Sequence, residues 1–463
     1  VWPDETIRTR RWWCQWQRCA FPTLRTATRG CDTSDAACRP HHIKQECSGH
    51  CHGHPSLTLR GDMKALLKDF SLSAVVAGFI ATVISYAGPL VIIFQAAKAG
   101  NMPHDVLSSW VWTISIGSGV LGILLSLRYK VPIIIAWSAP GSALLVTMLP
   151  DITLNEAVGA YIVTSVVVLL VGLSGAFDRI INRLPPAIAA GMLAGILFRF
   201  GTGLFVSIKE QPWLVLAMFC AYLIFKRAMP RYAVLAVLVV GVTITIASGE
   251  LRSEALVIGL ATPVWINPDF SWQVMLNIAF PLIMVALTGQ FVPGMAVLRN
   301  AGYSTPASPL ISSSALGSLL LAPFGCHGLN LAAITAAICT GREAHENPAK
   351  RYVAGVSGGV FYLVLGVFGA TLVSIFTAFP AALIAALAGL ALLAAIGGAL
   401  SAAMAVPDDR EAALITFLVT ASGMSFLGLS AAFWGLIFGI AAHLLLRLHP
   451  AWATAAKGQQ TVR

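Results

Sequence analysis

From about residue 70 to 448 the chain alternates long apolar runs with short polar clusters, and the runs have roughly the 17–25 residues that cross a bilayer as a helix. The pattern predicts an all-α polytopic membrane protein of fourteen transmembrane segments, in two sets of seven. The first set spans about 71–97, 106–127, 131–149, 154–174, 185–205, 211–226 and 231–248. The second spans about 272–297, 307–322, 323–340, 351–375, 379–400, 410–427 and 430–448. The third and tenth runs are interrupted. Val131 to Trp137 is extended and rich in β-branched residues, and Ser138-Ala139-Pro140-Gly141-Ser142 then opens a short helix ending near Pro150. A serine cap and a proline in the first turn are helix-start signals. Pro323 to Asn330 is a polar, glycine-bearing break, with Leu331 to Cys339 reading as the helix after it. A helix that starts inside an apolar layer leaves its first N–H groups to face protein, water or a ligand, and an anion suits them. The breaks recur about 190 residues apart, as in transporters built from inverted repeats, which hold substrate between interrupted helices at the bilayer midplane.

Loop charge tests the count independently. With the N-terminus in the cytoplasm, Arg128, Lys130, Arg179, Arg183, Lys226, Arg227, Arg231, Arg299, Arg342, Lys350, Arg351, Arg410 and Arg447 fall inside, against Lys98, Lys209 and Arg252 outside. A missed span would invert every later loop, so both termini are expected in the cytoplasm. An odd repeat of seven makes the two halves antiparallel. At 57% hydrophobic and 11% charged residues the composition is that of a membrane protein. The net charge of +10 is dispersed over inter-helix loops rather than gathered on one face, which argues against a nucleic-acid partner.

Residues 1–62 differ, with four tryptophans, nine Arg or Lys, six cysteines and five histidines but no helical or strand period. This stretch reads as a disordered tail. His41, His42, Cys47, His50, Cys51, His52 and His54 carry donors suited to zinc or copper, in no standard finger spacing. Because Met63 stands just before the first span, a start site set too far upstream is the simpler reading, and no metal site is assigned. Residues 449–463 read as a cytoplasmic C-terminal tail.

Ionisable residues inside a bilayer are costly and point to function. No Asp or Glu lies in the middle of any span, since Glu156, Asp178, Glu210 and Glu411 fall near ends. A carboxylate proton relay is therefore not expected. His327 is the one titratable side chain at a break; it can carry a coupling proton, donate to a substrate carboxylate, or satisfy backbone freed by the break. Gln95 and Gln290 occupy comparable places in the two halves, where an amide can hold substrate or bond a neighbouring helix. Asn330 is expected one turn into its half-helix, as cap, ligand contact or both. Ser138 and Ser142 sit at the first break, with Ser138 as the cap. Arg199 can snorkel, pair with an acid or attract anions. Phe94, Trp137, Phe291 and Phe324 can sandwich an aromatic ring or pack in the core. His443 reads as packing or interfacial.

Several segments carry a family resemblance in chain order: Phe70 to Phe79, Ser126 to Pro132, Ala136-Trp137-Ser138-Ala139-Pro140-Gly141, Pro293 to Tyr303, Pro323 to Ile338, Ala421-Ser422-Gly423 and Ala432-Phe433-Trp434-Gly435. Together they resemble the benzoate:proton symporter (BenE) family over about residues 69–448. The resemblance implies a bacterial inner-membrane symporter importing benzoate or a similar aromatic carboxylate with a proton. It also implies the seven-plus-seven inverted-repeat fold of nucleobase permeases and sulfate and bicarbonate transporters. By that fold, a core domain (about 71–174 and 272–375) moves against a gate domain (about 185–248 and 379–448), and dimerisation through the gate is an analogy. Nucleobase permeases carry glutamates in the eighth and tenth spans, where this chain has Gln290 and His327-Asn330, which argues against a nucleobase substrate. A flat apolar ring bearing one carboxylate can be held by two helix N-termini, at Ser138, Ala139 and Gly141 and at Gly325, His327 and Asn330, without a lysine. Gln95 and Gln290 would flank it. The expected coupling ion is a proton, with no cofactor. A symporter for another small organic anion and an anion channel are the alternatives; the spans hold no catalytic constellation for an enzyme.

Overall fold

The computed structural model describes Leu66 and residues 68–177, 179, 185–252, 254 and 256–447. The expectations for segments 1–62 and 449–463 fall outside the described residues. Nearly everything described is helical. The first run is two helices in line, α1 (Leu72–Ala87) and α2 (Pro89–Ala99), hinged at Gly88 where Pro89 supplies no N–H. Then come α3 (His104–Tyr129), strand β1 (Ile135–Trp137), the short α4 (Ala139–Met148), and α5 (Leu154–Ser174), which opens on a Thr153–Glu156 capping box. α6 (Pro186–Val206), α7 (Pro212–Ala228) and α8 (Ala233–Ala247) complete the first half of the sequence.

The second half begins with α9 (Trp272–Asn300), a helix with π turns at Met275–Ala279 and Leu287–Phe291. It continues through α10 (Ala307–Leu321), strand β2 (Leu329–Leu331) and the short α11 (Ala333–Thr340). α12 (Tyr352–Val367) and α13 (Gly369–Ala378), over the run expected as a span at 351–375, are bent by 71° at Phe368. α14 (Ala381–Ala403), α15 (Arg410–Ser422) and α16 (Ala431–Arg447) follow. Among the described residues seven helices are long and apolar enough to cross a membrane, or eight if the bent pair counts as one. Between α8 and α9 the chain runs without helix from Leu256 to Ser271. It is tied down by Val264 N–H donating to Ser109 Oγ and Ile266 N–H donating to the Pro323 carbonyl.

The two interrupted runs meet. β1 and β2 pair antiparallel, Ile135 opposite Leu331, Ala136 opposite Asn330 and Trp137 opposite Leu329, and Ala332 N–H extends the ladder to the Ile134 carbonyl. All six strand residues are buried. Extended backbone in an apolar interior has no water to bond, so each break supplies the other's missing partners. Asn330 consequently lies in the strand, ahead of α11, and not one turn into a helix.

Candidate functional site

The pairing leaves a small slot beside β2, lined by Ser138, Thr164, Ser165, Leu282, Ser318, His327 and Asn330 among others. Ser138 caps α4: its Oγ accepts from Gly141 N–H at 3.0 Å, and its carbonyl accepts from Ser142 N–H at 2.8 Å. The first turn of α4 thus satisfies its own Gly141 donor in this state. Ala139 is half-buried in the same turn. The tenth-run break turns through Gly325 (φ +101°) and Gly328 (φ +143°), a region that residues with a Cβ rarely enter. Gly325 packs against Trp110 and lines a separate small cavity with Trp110 and Tyr161, so the structure does not bring it to the slot.

His327 is buried, with both ring nitrogens engaged. Trp110 Nε1–H donates to Nδ1 at 3.0 Å, the rings standing at 87°. An indole N–H has no acceptor capacity, so Nδ1 carries no proton here. Nε2 lies 2.9 Å from Ser142 Oγ, whose own proton goes to the Ser138 carbonyl at 2.9 Å. The network therefore assigns the neutral Nε2–H tautomer, with Nε2–H donating to Ser142. One imidazole ties α3, α4 and the tenth-run break together.

Asn330 is the reverse case. It is 3% exposed, lines the slot, and its amide makes no hydrogen bond to a described residue. A buried amide left open toward a cavity is a natural ligand contact. Ala332, the residue before α11, offers no side-chain cap, and Thr335 Oγ1 in the first turn is buried without a partner among the described residues. Gln95 does not reach the slot: its Nε2 donates to the Ile384 carbonyl of α14 at 3.3 Å. Gln290 sits in the second π turn of α9, half-buried and without a described hydrogen-bond partner, and is absent from the slot lining. π turns concentrate at functional sites. The aromatic candidates pack elsewhere: Phe94 stacks on Phe376 at 4.5 Å, Trp137 meets Tyr86 and Tyr362 edge-on, Phe291 is fully buried, and Phe324 lies between Trp112 and Trp265. Trp110, Thr164, Ser165 and Ser318 were not singled out from sequence. A tryptophan or serine inside an apolar helix carries no signal of the break it will face.

The family described as benzoate membrane transport protein matches residues 68–445. The chain belongs to that family. It is 50% identical over 384 residues to the benzoate membrane transport protein of Acinetobacter baylyi, covering 83% of this chain and 98% of that one. It is 43% identical over 372 residues to the inner membrane protein YdcO of Escherichia coli, covering 80% and 95%. The transmembrane domain of the cyanobacterial bicarbonate transporter BicA has the same fold at 14% identity, with a TM-score of 0.53 over 81% of this chain and 97% of that one. This benzoate-transport family member is a multi-pass membrane transporter and not an enzyme.

Proposed function

We propose that the chain imports benzoate or a related aromatic carboxylate with a proton across the bacterial inner membrane, by alternating access. In this reading fourteen spans form two inverted repeats of seven, with both termini cytoplasmic. The core (about 71–174 and 272–375) moves against the gate (about 185–248 and 379–448), and two copies pair through their gates. The proton is the coupling ion, and no cofactor or metal takes part. The observation that carries the reading is the β1–β2 pairing, which brings Ser138, the cap of α4, and the Asn330 amide, unpartnered among the described residues, to one slot. Asn330 and the α11 N-terminus would take the carboxylate, with Ser138, Ala139 and Gly141 completing the cradle and Gly325 shaping the break. Leu282 and its aliphatic neighbours would take the ring; Gln290 would join the site from the second π turn of α9 once the helices part, and Gln95 would brace α2 against α14.

The slot is about 20 Å³, room for little more than one water. An aromatic acid enters only when the surrounding helices part, which is the requirement alternating access meets. His327 is the proposed proton carrier. Protonation at Nδ1 would set two donors face to face, so it requires Trp110 to withdraw, which links proton uptake to a rearrangement at the slot.

Labelled benzoate uptake into proteoliposomes under an imposed inward proton gradient tests this. Saturable uptake driven by ΔpH in the native chain, with coupling lost in His327→Gln, supports the symporter. Flux that neither saturates nor responds to ΔpH points to a channel and sinks it.

A further inference from the structure

A cavity of about 480 Å³ opens where α6, α9 and the α15–α16 connection meet. On α9, Val274 and Ile278 line the larger cavity and Leu282 and Ala286 line the slot, four residues apart on successive turns of one face. α4 spans the same interval, with its cap Ser138 at the slot and Leu144, Thr147 and Met148 at the cavity. The two cavities thus share α4 and α9 as walls, and in the transport reading the larger one is a vestibule to the slot.

Arg199 of α6 is the one cationic side chain lining it among the described residues. Its guanidinium makes no ion pair or hydrogen bond with a described residue. The amides nearby are anchored: Gln273 and Asn277 both donate to the Gly428 carbonyl, at 2.8 and 2.7 Å, and Asn277 Oδ1 accepts Ser430 N–H at 2.7 Å. Of the two acids on the wall, Glu156 is held by Thr153 in its capping box, and Asp151 stands exposed at the end of α4. Neither pairs with Arg199. Room for the guanidinium comes from Gly423, which closes α15 with φ +66°; a Cβ there would fall on Arg199 Nη2.

We propose that Arg199 is an outer capture site that takes the carboxylate of the transported anion in the vestibule before it passes along α4 and α9 to the slot. This rests on the transport reading above. A planar guanidinium with free donors recognises carboxylate in two-point fashion, and it is the one positive charge on a wall that otherwise carries the carboxylates of Asp151 and Glu156, among the described residues.

The test measures equilibrium binding and uptake of labelled benzoate by the full chain in proteoliposomes, at low and physiological salt, for native, R199Q, R199K and G423A proteins. R199Q is expected to raise the half-saturation concentration about tenfold, to leave the maximal rate within about twofold, and to lose the salt dependence of half-saturation. R199K recovers part of the loss, and G423A, which displaces the guanidinium, shifts half-saturation in the same direction as R199Q. An R199Q protein with native half-saturation and native salt dependence overturns the capture site while leaving the transport reading standing. A native chain that neither binds nor takes up benzoate overturns both.

Discussion

Trp110 has one proton to give and nothing with which to accept, and this chemistry sets the state of His327. While the indole holds Nδ1 at 3.0 Å, the ring stays neutral, with its single N–H on Nε2 donating to Ser142 Oγ. Trp110→Phe removes the donor with little change in bulk. It is expected to fold, and to change the pH profile of benzoate uptake, whereas a tryptophan that only packs would leave the profile with its native shape. Asn330 offers the complementary prediction. Asn330→Leu keeps the size and removes both donor and acceptor from the slot, so binding should weaken about tenfold or more in an equilibrium assay with labelled benzoate. Native affinity in that variant would move the carboxylate contact elsewhere.

At the scale of elements, both breaks are backbone problems solved together. Each exposes unpaired peptide groups in an apolar interior, where a lost bond costs several kcal/mol, and the short β1–β2 ladder answers both at once. The Ser138 cap then lets α4 begin immediately after β1. Ser138→Ala should lower stability by about 1 kcal/mol, read as a fall in melting temperature in detergent, because Gly141 N–H loses its acceptor. The bend between α12 and α13 has a different origin: it falls where Phe368 leaves the helical region and Gly369 follows, beside the long loop whose Ala261 N–H bonds the Val367 carbonyl.

At the scale of the molecule, the Gln273 and Asn277 bonds fasten the α15–α16 connection to α9 at the vestibule. If the two sides separate and close during transport, these bonds must break and reform. A disulfide across the same contact, from Asn277→Cys with Ser430→Cys, should therefore arrest uptake to background when oxidised, with recovery on reduction. Unchanged uptake in the cross-linked protein would mean that this contact does not move.

The apolar helical runs, the two breaks and the place of Ser138, His327 and Asn330 at those breaks were legible in the chain alone. Bilayer-length apolar runs and loop cations are local and additive, and a polar interruption of such a run stands out wherever it occurs. The partners of those residues were not legible. That Trp110 would occupy His327, that Asn330 would lie in a strand opposite Ala136, that Gln95 would turn to Ile384, and that Arg199 would face a vestibule past Gly423 depend on contacts between segments far apart in sequence. Residue type and spacing state which groups need partners, but only packing in three dimensions selects among the many serines, tryptophans and carbonyls able to serve.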